Sequence, residues 1–123
     1  MGIQSQVIIN KPPDKIWKFI TKPKNWDKWW GARLKSVKPG WENGATMIWE
    51  QGQSKLSSVV QQSVIEITSP FITNTIRLKA LPDNKTLVEF EMAPRGGASF
   101  SDGGQAQKAK NDASLMRLKQ AVE

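Results

Sequence analysis

Between Arg33 and Ala93 the chain passes through a run of strand-like segments with nothing longer than a turn between them. Consecutive strands joined by short turns pair antiparallel, and a sheet built that way has one face to bury. The last segment of the chain is the obvious cover for that face. Residues 105–122 contain no Gly or Pro and are rich in Ala, Gln, Lys and Leu, all good helix formers. This pattern predicts an α+β architecture: a curved antiparallel sheet of six or seven strands around a long C-terminal helix.

The segments before Arg33 complete the order. Ile3, Val7 and Ile9 share one parity of a first short strand. Pro12, Pro13 and Asp14 suit the first turn of a helix, whose stripe is Ile16, Phe19 and Ile20. Pro23 ends it, and residues 23–30 predict a second short helix carrying Trp26, Trp29 and Trp30. Farther on, Met47 and Trp49 share a face, and Gly52-Gln53-Ser54 reads as a turn. Parity changes around the adjacent Val59 and Val60, which predicts a bulge or a break into two strands. Residues 72–80 and 86–93 alternate cleanly about a turn at Pro82–Lys85. A loop rich in Gly and Ser, residues 94–104, precedes the last helix, with Asp102 or a neighbour as its cap.

Composition removes several functions. With no Cys and no His there is no thiol nucleophile, no disulfide and no Ser-His triad, and the commonest metal ligand is missing. No spaced carboxylate cluster predicts a metal site, and no cofactor motif is present. No apolar run has the length of a membrane span, and residues 1–6 resemble neither a signal peptide nor a myristoylation site. A length of 123 residues predicts one domain, and the lack of Cys suits a reducing cytoplasm. The net charge of +7 is localised: residues 11–38 hold nine Lys or Arg against Asp14 and Asp27.

The opening pattern Ile9-x-x-Pro12-x-x-x-Ile16-Trp17-x-Phe19-Ile20-x-x-Pro23-x-x-Trp26-x-x-Trp29 resembles that of SRPBCC domains, the START-like helix-grip proteins, and especially their bacterial polyketide cyclase/dehydrase-like members. The closing Leu115-x-x-Leu118-Lys119-x-Ala121-Val122-Glu123 is similar to their last helix. The resemblance implies a cavity between sheet and C-terminal helix that accepts small hydrophobic molecules. Such domains include carriers, sensors, cyclases and protein-binding modules, so the fold alone does not choose among them. One departure is that residues 52–71 leave room for one strand fewer than usual, which predicts a small cavity.

Four features are candidates for function. Inward parity makes Trp49, Phe90 and Met92, with Leu115 from the last helix, the expected ligand contacts. Asn74 and Asn111 are the expected polar anchors, with Gln107 and Ser114 as further candidates. Core filling is the ordinary role of such apolar positions. Trp30 is expected at the cavity mouth, since Trp29 and Trp30 are adjacent and cannot face the same way; packing of the small helices is the plainer role of these rings. Phe100, amid the glycines of residues 94–104, is expected as a gate or as part of a flexible connection. Lys11, Lys15, Lys18 and Lys22 are spaced four, three and four apart and would share a helix face toward an anionic partner such as lipid or RNA, if the helix starts early enough. A solvated helix face is the plainer explanation, and there is no nucleic-acid motif.

Two main readings follow. The first is binding or transport of a small hydrophobic ligand, without catalysis. The second, a cyclase or dehydratase, needs Glu50, Glu66 or Arg33 inside the cavity, against their outward parity. An interaction module using the basic face is a third.

Overall fold

The structure, a computed structural model, describes residues 2–123. Strand β1 (Ile3–Ile9) is followed by helix α1 (Pro13–Ile20) and a 3-10 helix (Pro23–Lys28). Six strands come next: β2 (Leu34–Lys38), β3 (Thr46–Trp49), β4 (Gly52–Val60), β5 (Val64–Thr68), β6 (Ile72–Leu81) and β7 (Lys85–Pro94). A 3-10 turn (Ser101–Gly104) leads into helix α2 (Gln105–Val122). All seven strands form one antiparallel sheet in the order β1-β7-β6-β5-β4-β3-β2. The meander runs from β2 to β7, and β1 closes on β7 with Val7 opposite Val88. This is the helix-grip architecture expected from the strand run and the final helix.

The region predicted to be short carries two strands. Gln61, Gln62 and Ser63 turn the chain between β4 and β5, and a bulge falls between Leu56 and Ser58, so the parity change reflects both a break and a bulge. The residues Gly52-Gln53-Ser54 are not a turn. Glu50 and Gln51 close a two-residue hairpin in which Trp49 pairs with Gly52, so those three residues open β4.

The concave face follows the expected parity: Met47, Leu56, Ile65, Ile67, Ile76, Leu78, Val88 and Phe90 are all buried. At the α1 end, Ile9, Ile16 and Ile20 join them, and Leu115 and Leu118 of α2 cover them. Helix α2 lies mainly against β1. The supposed lysine stripe does not form. Because α1 begins at Pro13 and ends at Ile20, Lys15 and Lys18 are helical, whereas Lys11 and Lys22 lie outside the helix at either end. Thr86 helps set that start, donating its hydroxyl to the Lys11 carbonyl at 2.8 Å.

Candidate functional site

Five of the six tryptophans converge where the 3-10 helix meets the sheet. Trp26 is fully buried and is the hub. Its ring centroid lies 4.9 Å from Trp29, 5.0 Å from Trp30, 5.9 Å from Trp41 and 5.7 Å from Trp49. Its indole N–H donates to the Ile20 carbonyl at 2.6 Å, which ties the end of α1 to the cluster. Tilted and edge-on pairs at these separations are favourable beyond simple area burial. The cluster leaves space on its open side, part of it beneath α2 between Gln107 and Arg117.

Trp30 projects into that space. It packs against Phe90, with ring centroids 5.2 Å apart, and stacks on Trp49 at 6.4 Å and 19°. Two connected lobes meet at Trp30, Gly31 and Asn74. The first, about 520 Å³, runs from Trp49 and Ser54 over Ile67 to a rim at Arg33 and Glu50. The second, about 450 Å³, lies between Phe90 and Met92 on the sheet and Gln107, Lys110, Asn111, Ser114 and Arg117 on α2. Both volumes fall in the range of small-molecule sites.

Helix α2 explains why the second lobe exists. Its buried residues are Asn111 and Ser114, followed toward the C-terminus by Leu115 and Leu118. The leucines seal the core at the C-terminal end. Toward the N-terminus the helix turns short polar side chains to an apolar sheet, so the two surfaces do not close on each other. Several polar atoms around this region are buried without a partner: Asn74 Oδ1, Asn111 Nδ2 and the indole nitrogen of Trp29. Asn111 is half satisfied, because its Oδ1 accepts from Gln107 Nε2 at 3.0 Å. Ser54 is satisfied, since its hydroxyl accepts from the indole N–H of Trp49 at 2.8 Å. An unpaired buried polar atom costs about 1–3 kcal/mol, so such a group is unusual in a surface built only for stability.

Of the eight positions singled out as ligand contacts, the structure gathers six around this cleft: Trp30, Trp49, Asn74, Phe90, Met92 and Asn111. Leu115 lies elsewhere. It follows Ser114 by one residue, is therefore rotated about 100° around the helix, and packs into the core. Phe100 is also off the cleft, and no residue of 94–104 lines either lobe. Its side chain packs on the core beside the tight turn at Gly104, so it does not stand as a gate in this conformation.

The ionisable groups weighed for catalysis lie outside the floor of the cleft. Glu66 is on the outer face and accepts from the Ser57 hydroxyl at 2.7 Å. Arg33 and Glu50 pair with each other at 3.7 Å on the rim of the first lobe, with side chains 67% and 54% exposed. Among the described residues, no group of three or more His, Cys, Asp or Glu could hold a metal ion. No described helix is long and apolar enough to cross a membrane. Sequence reasoning missed Lys110 and Arg117. The signal was available, because residues 107, 110, 111, 114 and 117 recur at helical spacing and include the two polar residues that the helix buries.

Solved structures share this fold. SSP2350 from Staphylococcus saprophyticus is 19% identical, with a TM-score of 0.79 over 99% of this chain and 91% of that one. The Aha1 dimer from Colwellia psychrerythraea is 18% identical, with a TM-score of 0.75 over 100% of this chain and 96% of that one. DynU16, from the dynemicin biosynthetic locus, is 16% identical, with a TM-score of 0.78 over 98% of this chain but only 46% of its own. At these identities the likeness is one of fold. No curated protein matches the chain. Residues 2–123 match the family described as polyketide cyclase / dehydrase and lipid transport, and with its seven-stranded grip around α2 the chain belongs to that family.

Proposed function

We propose that the protein binds a small hydrophobic or amphipathic molecule in the cleft between the sheet and α2. One observation carries this reading: an aromatic-walled cleft lined by Asn74 and Asn111, each of which keeps one buried amide atom without a partner beside it. A ligand that covers Trp30, Phe90 and Met92 gains apolar burial, and its polar end satisfies Asn74 or Asn111. The family description, which includes lipid transport, supports the same reading. Binding needs no general acid or base in the floor, and the carboxylates considered for a cyclase stand on the rim or on the outer face.

The test is tryptophan emission titrated with amphiphiles that do not absorb with indole, and calorimetry for quinones and aromatic compounds. A saturable change is expected, and it should be lost in Trp30→Ala, where the ring shared by both lobes is gone. If no class in such a panel binds saturably, the reading fails.

A further inference from the structure

The second lobe has a definite charge. Its lining contains Lys110 and Arg117 and no carboxylate. Neither cation makes an ion pair among the described residues; the basic residues that do are Arg33, Arg77, Lys79, Lys108 and Lys119. Lys108 and Lys119 stand on the same helix and have acidic partners at the i+4 position, so the stripe facing the cleft is the part of α2 left without neutralisation.

The hydrogen-bonding inventory points the same way. The Arg117 guanidinium is held in place by the Trp29 carbonyl at 3.2 Å and the Ser114 hydroxyl at 3.0 Å. Both bonds use Nη2, so its other N–H groups remain available. Ser114 accepts from Arg117, so its own proton is free to be donated. Asn111 Nδ2 is a buried donor with no acceptor, in a residue only 3% exposed. Four side chains along one helix stripe thus offer donors, two of them charged, over a floor made by Phe90, Met92 and Trp30. The one unpaired acceptor, Asn74 Oδ1, lies across the cleft on the sheet.

From this we infer that the ligand is an amphipathic anion. Its carboxylate, or a group of like charge, meets Arg117 and Lys110 and accepts from Asn111, while a flat or chain-like apolar body lies on Trp30 and Phe90. A hydroxyl on that body would donate to Asn74. This inference rests on the binding reading above and sharpens it, assigning the polar end of the ligand to α2 rather than to the Arg33–Glu50 rim. The charges are partly in water, so the preference should weaken as salt rises.

Calorimetry with naphthalene-2-carboxylate and naphthalene-2-carboxamide at neutral pH separates the two levels, since the probes share shape and differ in charge. The carboxylate should bind about tenfold more tightly than the amide, the effect of one charge-assisted hydrogen bond at a half-exposed site. In the double variant K110Q/R117Q the two affinities should converge. Lys24→Gln, which removes one charge away from the cleft, should leave their ratio unchanged. The Arg117 Nε–H resonance should shift with the carboxylate and not with the amide. Equal binding of both probes overturns the anion inference and leaves the cleft as a neutral apolar site. So does an equal loss of preference in Lys24→Gln, which would mean diffuse attraction to a protein of net charge +7. If neither probe binds although an uncharged amphiphile does, the inference also fails; if no ligand binds at all, the binding reading fails with it.

Discussion

Asn74, the third residue of β6, lies between Ile67 of β5 and Met92 of β7 on the concave face. An aliphatic residue there would continue the apolar rows on either side. The amide instead leaves Oδ1 buried and unpaired. Asn74→Leu should therefore stabilise the protein by about 1 kcal/mol, the release of an unsatisfied acceptor. That corresponds to a rise of roughly 4 °C in a thermal melt for a chain of this size. The same variant should bind ligand more weakly, so calorimetry and melting would move in opposite directions. A fall in stability would mean that Asn74 is a structural residue. Trp26 is the opposite case. It is fully buried, touches four other indoles and donates to Ile20. Trp26→Ala should cost about 3–5 kcal/mol, the usual penalty for emptying an aromatic site in a core. Trp26→Phe should cost less but still leave the Ile20 carbonyl without its donor, and the difference is readable in chemical denaturation.

At the scale of elements, α2 is positioned by its two ends. At its start Gly104 has a φ of +86°, and a Cβ there would lie 2.7 Å from Ile3 Cδ1. Asp102 supports the same turn, accepting from the Gly104 N–H at 3.2 Å and the Ala106 N–H at 3.4 Å. Gly104→Ala combines a left-handed backbone with a steric clash and should destabilise by about 1–3 kcal/mol. The loss should appear as faster hydrogen exchange in the first turns of α2. At the far end the Lys119 ammonium and the Asn10 N–H hold the Glu123 carboxyl below its ordinary value of 4.5. Lys119 also donates to the Ile8 carbonyl at 2.9 Å, so the pair clasps the helix to the end of β1. A depressed carboxyl contributes stability above its ordinary value, and that contribution is lost as pH falls through the folded value. The last turn of α2 should therefore loosen below about pH 4.5 in amide exchange. Glu123→Gln should show the looser state already at neutral pH and respond less to acid.

For the whole molecule, legibility in the sequence divides by the distance over which a pattern is written. The alternation of Ile76 and Leu78 with Arg77 and Lys79, or of Val88, Phe90 and Met92 with Glu89 and Glu91, is local, and all five apolar side chains are buried as that alternation predicts. The limits of α2 were equally plain, because residues 105–122 contain no breaker. The hairpin at Glu50–Gln51 was misplaced because Gly52 is a turn residue by type but is set by pairing with Trp49. The cleft was harder to read because it depends on contacts between distant segments. Trp30, Trp49, Asn74, Phe90 and Asn111 come from five elements or connections, and nothing in their spacing shows that they meet. That remoteness also bears on energetics. A ligand in the cleft would tie α2 to β3, β6 and β7, and the ligand would have to leave when those elements separate. Binding to the folded state alone adds RT ln(1 + [L]/Kd), about 2.7 kcal/mol at a hundredfold excess over Kd. If the cleft is the site, that increment should protect the amides of α2 and of strands β6 and β7 together, because opening either wall destroys the cleft. The β4–β5 turn at Gln61–Ser63, which lines neither lobe, should exchange at its ligand-free rate. Hydrogen exchange with and without a saturating ligand decides this. Protection confined to the surface around Lys11, Lys15 and Phe19 would put the bound molecule on the α1 side of the protein instead.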